Sequence, residues 1–250
     1  MINDYPPEEF TEAKKLMDSV LKDSLSGFDR ILQTGSFLYE KFHRQLGTPS
    51  AELPPLSPLQ QFKLLSADTT QKLWCGQFAA MFSYFAWSQD IASRYIEMMK
   101  PGDRHVLNEA YIPELGRWVM VDLTNNLLAL RNRNGAFLDL PAVQDSASVK
   151  AKISVYRSIE QDAVSDLVNA AELPDYYQQK WPLHYHHRIS NESVYRFNEK
   201  IKRYFVPSSW YEIFDDKGGN NDLFQVKRVL FALWLLSFFV FLISLAKFRI

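Results

Sequence analysis

Hydrophobic residues recur at helical spacing through the first part of the chain. Between Pro7 and Leu46 they fall at intervals typical of one buried helix face. Ser26-Gly27 interrupts this pattern and predicts two helices in place of one. Residues 47–58 are rich in proline, which does not fit a helix interior, so they predict an extended connector to the main domain.

The next helical pattern begins at Trp74 and carries the single cysteine of the chain in its first turn. From Trp74 to about Ser88, apolar residues fall at helical intervals from Cys75, which predicts a buried helix. The unpaired N–H groups and the dipole of a helix N-terminus favour a thiolate. A lone cysteine is more often a small buried hydrophobe. The other residues in the sequence are therefore needed to tell whether Cys75 is a reactive or a structural thiol.

Two strands joined by a turn are predicted between His105 and Thr124. If Ile112 pairs with Arg117 across that turn, His105 and Asp122 lie on one face of the hairpin. They are then diagonal neighbours, about 7–8 Å apart at the backbone. A shift of the pairing by one residue would move Asp122 to the other face. A carboxylate on one ring nitrogen fixes the tautomer of an imidazole and leaves the other nitrogen for a thiol.

At these residues the chain resembles the transglutaminase-like superfamily, whose members are papain-like thiol enzymes. The resemblance covers roughly residues 73–126. Its departures from the usual pattern, Leu107 for a frequent tryptophan and Leu123 for a frequent proline, leave the three reactive residues in place. The matching segments are Cys75-Gly76-Gln77-Phe78-Ala79, Arg94, His105-Val106-Leu107-Asn108-Glu109-Ala110-Tyr111 and Trp118-Val119-Met120-Val121-Asp122-Leu123-Thr124.

The resemblance implies an α+β fold in which the helix bearing Cys75 packs on an antiparallel sheet bearing His105 and Asp122. It also implies acyl transfer through a thioester, with Cys75 as nucleophile, His105 as base and Asp122 as the group that orients the imidazole. The backbone N–H of Cys75 is the natural first oxyanion donor. No cofactor and no metal are implied. The candidate oxyanion and supporting side chains are Gln71, Trp74 and Asn108.

Residues 229–246 contain no charged residue. A helix over this stretch reaches roughly 27 Å, close to the thickness of a bilayer core, and predicts a single C-terminal transmembrane helix. A buried core helix is the alternative. Lys227 and Arg228 precede the stretch and Lys247 and Arg249 follow it, so charge does not set its orientation. Because no secretory signal pattern stands at the N-terminus, we expect the body of the protein in the cytoplasm.

Three further polar features precede the predicted anchor. His184, His186 and His187 suggest a metal, but adjacent histidines on an extended segment point to opposite faces, which favours a polar strand or loop. Residues 193–205 have the pattern of an amphipathic helix, which either packs on its own domain or rests on an anionic membrane surface. Residues 215–222 are polar and contain glycine, as a flexible tether does.

Composition narrows the function classes. Aromatic residues make up 14% of the chain, as in a well-packed body, and a formal net charge of −1 does not suggest nucleic acid. One cysteine allows no internal disulfide.

We divide the chain into a helical extension with its proline-rich connector (1–58), a catalytic core (59–150), a C-terminal extension with its tether (151–226) and a membrane anchor (227–250).

Three functions remain open at this stage. The first is a membrane-anchored cysteine hydrolase, a peptidase or amidase acting on a protein or peptide-like substrate near the bilayer. The second is a transamidase that joins a glutamine carboxamide to an amine, and the third is a non-catalytic scaffold that keeps the fold. Membrane-protein partners fit each of them. We expect the turn at residues 113–116 and the segment after Asn126 to cover the cleft.

Overall fold

The computed structural model of the chain describes residues 2–3, 6–22, 25–100, 102–160, 162–181, 183–186, 188–189 and 229–238. It contains helices and antiparallel sheets, so the fold has the predicted α+β class. The helices are α1 (Pro7–Val20), α2 (Gly27–Phe42), α3 (Pro58–Ala67), α4 (Cys75–Ser88) and α5 (Leu140–Ser148). The strands are β1 (Ile2–Asn3), β2 (Ser93–Lys100), β3 (Asp103–Ile112), β4 (Arg117–Val121), β5 (Ala129–Asn132), β6 (Lys152–Ile159), β7 (Asp162–Asn169), β8 (Leu183–His186) and β9 (Arg188–Ile189).

The first two helices confirm the predicted break. Ser26 is the N-cap of α2, and its hydroxyl accepts a hydrogen bond from the Asp29 N–H at 3.1 Å. A third helix, α3, was not predicted and begins where the proline-rich connector ends. The Ser57 hydroxyl caps it by accepting the Gln60 N–H. Pro58 takes the first helical position, where its lack of an N–H costs no hydrogen bond because the first N–H groups of a helix have no acceptor within it.

The strands form a central four-stranded antiparallel sheet in the order β4-β3-β2-β8. The strands β5, β6 and β7 form a second antiparallel sheet, and β1 pairs in parallel with β9. In the central sheet Ile112 pairs with Arg117, so the predicted hairpin register is confirmed. The turn between β3 and β4 closes on Gly116, whose φ of 62° favours glycine.

Hydrophobic cores lie on both sides of the central sheet. Ala110 of β3 and Val119 of β4 pack with helices α1 to α4, whereas the neighbouring Leu107 and Met120 pack with α5 and the second sheet. In α4, every residue from position 81 to position 88 is buried. Burying each large apolar side chain there contributes about 1.5–3 kcal/mol. This packing holds the first turn of α4 in place at the end of the sheet.

The predicted extension at residues 1–58 packs into the same core as the central helix. Met17 of α1, together with Ile31 and Leu38 of α2, is fully buried in the cluster that contains Phe82 of α4. The N-terminal helices therefore contribute to the body that carries the cysteine.

The predicted anchor is described only in part. Residues 229–238 are helical, and the remainder of 229–246 lies outside the described residues. Among the residues that the structure describes, no helix has both the length and the apolar character needed to cross a membrane.

The predicted helix at 193–205 and the tether at 215–222 also lie outside the described residues, as does His187. The backbone at His184 and His186 forms part of β8.

Candidate active site

Cys75 occupies the first position of α4 and is partly exposed. Trp74 is the N-cap, and its backbone N–H donates to Oε1 of Gln77 at 3.0 Å, which fixes the peptide that enters the helix. The Cys75 N–H is one of the first four of a helix, which have no acceptor within the helix. The thiol therefore stands beside a backbone donor suited to an oxyanion.

The structure brings His105 and Asp122 together as the hairpin register predicts. Nε2 of His105 lies 2.7 Å from Oδ2 of Asp122, and the two side chains are 11% and 1% exposed. Cys75 lies close enough to His105 to contribute to the raised pKa of its imidazole. With Nε2 on the carboxylate, Nδ1 is the ring nitrogen that remains for the thiol. The thiol, the imidazole and the carboxylate thus lie together, and the last two are hydrogen-bonded to each other.

Asp122 sits at the end of β4, where it caps a short 3-10 turn. Its Oδ1 accepts the Thr124 N–H at 3.0 Å, and its Oδ2 accepts the Asn125 side-chain amide at 2.6 Å and the Tyr177 hydroxyl. Burial alone raises the pKa of Asp122. The charge of His105 and these hydrogen bonds outweigh burial and hold the pKa of Asp122 below its ordinary value. The buried carboxyl is therefore a carboxylate.

The imidazole of His105 is more basic than an ordinary histidine. Burial on its own lowers the pKa of His105, but the charge and hydrogen bond of Asp122, together with Cys75, raise it to about 10. At neutral pH the ring is an imidazolium cation. The site therefore places an imidazolium cation near the thiol of Cys75.

Two tyrosines complete the surroundings of His105, and neither was predicted. Tyr176 and Tyr177 lie in a 3-10 turn at Asp175–Tyr177. The Tyr176 ring is 4.4 Å from the His105 ring between centroids, tilted by 31°, and the Tyr177 ring is 6.4 Å away, nearly perpendicular to it. Burial, followed by the charge of Asp122, raises the pKa of both phenols. Both hydroxyls therefore stay protonated.

The sequence holds a signal for the Asn125 contact with Asp122, but none for the contacts of the two tyrosines. Asn125 donates both to Asp122 and to the Tyr176 hydroxyl. It stands three positions after Asp122, a spacing common in side-chain capping, so a turn motif could have suggested it. The tyrosine pair lies far along the chain, and nothing in its spacing connects it to Asp122.

The candidate supporting residues occupy different places. The Gln71 carboxamide donates to Asp68 at 3.1 Å and accepts from Ser50 at 3.0 Å, so both of its polar atoms are engaged away from the thiol. Asn108 is buried and donates to the Ala79 carbonyl at 3.0 Å and to the Ser83 hydroxyl at 2.8 Å. Its amide therefore ties β3 to α4 instead of facing an oxyanion. Trp74 is beside Cys75 and 53% exposed.

Arg94, one of the residues on which the sequence resemblance rests, forms a buried ion pair with Glu109. Arg94 Nη2 lies 2.6 Å from Glu109 Oε2, and the guanidinium stacks on the Trp118 and Tyr185 rings at 4.3 and 4.4 Å. The other carboxylate oxygen of Glu109 accepts the Leu140 N–H at the start of α5. Burial raises the pKa of Glu109, and Arg94 opposes that rise. The pair joins the central sheet to α5.

The turn at residues 113–116 does not cover the cleft, contrary to expectation. It closes the end of the hairpin opposite to His105, because β3 runs from Asp103 to Ile112 and the turn follows its last residue. Glu114 in this turn accepts the Gly27 N–H at 2.7 Å, at the start of α2. The turn therefore packs on the N-terminal helices.

Within the described part of the chain, no group of three His, Cys, Asp or Glu side chains is placed to hold a metal ion.

Comparisons with known proteins give little beyond this geometry. No protein-family model matches the chain, and a search of curated proteins finds no match. A similar solved structure is that of a "putative cysteine protease" from Cytophaga hutchinsonii, with 19% sequence identity and a TM-score of 0.35. The alignment covers 65% of this chain and 51% of that one, so it spans about half of that protein.

Proposed function

We propose that the chain is a transglutaminase-like, papain-like thiol enzyme that hydrolyses an amide bond in a protein or peptide-like substrate. The observation that carries the proposal is the 2.7 Å hydrogen bond between His105 and Asp122, close to the Cys75 thiol at the start of α4. The thiol is partly exposed, whereas the carboxylate is buried and held by several donors. This is the order of exposure that a nucleophile, a base and an orienting group require.

Acylation follows from this arrangement. The Cys75 thiolate attacks the amide carbonyl carbon, a C–S bond forms, and the Cys75 N–H stabilises the resulting oxyanion. The His105 imidazolium then gives its proton to the nitrogen as the C–N bond breaks. An amine leaves, and a thioester remains on Cys75. Asp122 holds the imidazole in the required orientation throughout.

Deacylation reverses the proton transfer. Neutral His105 takes a proton from water as the water oxygen attacks the thioester, and the C–S bond breaks. A carboxylic acid leaves, and the thiolate–imidazolium pair is restored. An amine in the place of water would give a new amide, which is the transamidase alternative. Product analysis with and without glycine methyl ester separates these outcomes.

We further propose that residues 229–246 tether this enzyme to a membrane as a single C-terminal span, with the body in the cytoplasm. The support is the uncharged apolar sequence flanked by basic residues.

The first experiment is the alkylation of Cys75 by iodoacetamide as a function of pH, with the full chain in detergent. Because Cys75 is the single cysteine, every adduct reports on this site. We expect rapid alkylation at pH 6, where an ordinary thiol is protonated, and the loss of that reactivity in His105→Ala. His43→Ala, which changes a histidine at the end of α2, is the matched control and should react as the wild type does.

The opposite result would favour the scaffold function. A thiol that reacts only in alkaline solution, at the same rate in wild type and His105→Ala, would show that the imidazole does not activate Cys75.

A further inference from the structure

One aromatic side chain departs from the burial pattern of the body. Among the aromatic residues described between positions 6 and 189, Trp74 alone is mostly exposed, at 53%, and the others are buried or half-buried. A tryptophan exposed in this way leaves a large apolar surface in water, and such surfaces are enriched where proteins bind other molecules.

The exposed indole stands directly beside the nucleophile. Trp74 precedes Cys75 in the chain, so their Cα atoms are about 3.8 Å apart. The Gln77 side chain holds the Trp74 N–H, and the Trp74 carbonyl accepts the Phe78 N–H at 3.1 Å in the first turn of α4. The backbone at Trp74 is therefore held one residue before the thiol.

One side of the reacting pair is already covered. Tyr176 lies over one face of the His105 ring, and the His105 side chain is only 11% exposed. Tyr177 and Asp122 are buried behind the imidazole. The partly exposed Cys75 and the exposed Trp74 are therefore adjacent at the solvent-facing start of α4.

We propose that Trp74 determines specificity by binding the side chain of the acyl residue next to the scissile bond, and that it selects bulky apolar or aromatic residues. This inference rests on the proposed function and names its substrate class: peptides with such a residue on the acyl side of the cleaved amide. The indole acts here as an apolar surface and not as the oxyanion donor considered from the sequence.

The test uses two peptidyl vinyl sulfones that differ only in the residue next to the vinyl group, phenylalanine or alanine. The Cys75 thiolate adds to the vinyl carbon to form a thioether, and the neighbouring carbon takes the proton of the His105 imidazolium. Intact mass gives the second-order rate of modification. We expect wild type to prefer the phenylalanine probe and Trp74→Ala to lower the phenylalanine-to-alanine rate ratio by about 3- to 10-fold.

Two further variants control the result. Trp74→Phe keeps an aromatic surface and should retain most of the preference. Leu115→Ala removes a side chain of similar exposure, 54%, at the far end of the hairpin, and should leave the ratio unchanged. Iodoacetamide, which is too small to use the indole, should react equally with wild type and Trp74→Ala, which excludes a distorted site.

Two outcomes would overturn the inference, and they are distinguishable. An unchanged rate ratio in Trp74→Ala, or no preference in wild type, together with His105-dependent iodoacetamide alkylation, removes the role of Trp74 and leaves the proposed function standing. Alkylation indifferent to His105→Ala removes the proposed function and this inference with it.

Discussion

Tyr177 donates a hydrogen bond to Oδ2 of Asp122, the same oxygen that bonds Nε2 of His105. Tyr177 is fully buried, and it comes from a turn far beyond the segment that resembles the enzyme family. The carboxylate that orients the imidazole therefore depends on the C-terminal part of the body.

Removing the Tyr177 hydroxyl should weaken both the fold and the site. We expect Tyr177→Phe to lower the free energy of unfolding by about 1.5–3 kcal/mol at pH 7, because the lost bond was donated to a charged group. This bond lowers the pKa of Asp122, so its stabilisation is present above the unfolded value near 3.9 and is lost as pH falls through the folded value. Urea unfolding at pH 7 and at pH 3 measures the difference.

The matched control is Tyr176→Phe, whose lost hydroxyl accepts from Asn125 and makes no bond to Asp122. It should keep the pH dependence of wild type. An equal, pH-independent loss of stability in both variants would contradict the assigned role of Tyr177.

The His105 imidazole should titrate far above an ordinary histidine. We expect its NMR titration midpoint at about 10, moving toward the ordinary value near 6.5 in Asp122→Asn, since the carboxylate charge is the largest cause that raises the pKa. Because the folded pKa is raised, the stabilisation is complete below about pH 6.5 and is lost as pH rises through about 10. Urea unfolding should therefore show wild type losing stability between pH 7 and 10. A midpoint near 6.5 in the wild type would refute this assignment.

The Arg94–Glu109 pair should be structurally important. Arg94→Ala leaves the Glu109 carboxylate buried without its cation, so we expect a loss of about 3–5 kcal/mol in the free energy of unfolding. Arg94→Lys should also destabilise, since an ammonium cannot reproduce the stacking on Trp118 and Tyr185. Chemical denaturation measures both.

The control for this pair lies on the same two strands. Arg104 and Glu97 form an ion pair in which the arginine side chain is 65% exposed. Arg104→Ala should cost less than about 1 kcal/mol. Equal losses in Arg94→Ala and Arg104→Ala would mean that burial of the first pair has no energetic effect.

The predicted anchor can be tested in cells. We expect the full chain to stay with membranes on alkaline carbonate extraction and Phe238→Arg to be released more readily, because a charge near the middle of a span costs about 2.5–3.5 kcal/mol. Leu167→Arg, at an exposed site of β7, should behave as wild type. If carbonate extraction recovered the full chain in the soluble fraction, residues 229–246 would not span a membrane.

The sequence by itself determined the features that depend on near neighbours. Helical spacing and the Ser26-Gly27 break predicted α1 and α2, and the position of Cys75 in the first turn of α4 followed from apolar periodicity. The hairpin register followed from its turn, and with it the approach of His105 to Asp122. A turn constrains the residues on both sides of it, so such contacts can be read locally.

Only the tertiary structure decided which distant groups surround those residues. The contact of Tyr177 with Asp122 joins segments 55 positions apart, and no local pattern encodes it. The Gln71 and Asn108 amides were candidate oxyanion or supporting groups, yet each bonds the acceptors that packing places closest to it. Hydrogen-bond partners of a side-chain amide depend on how elements dock, and docking is a property of the whole core rather than of sequence spacing.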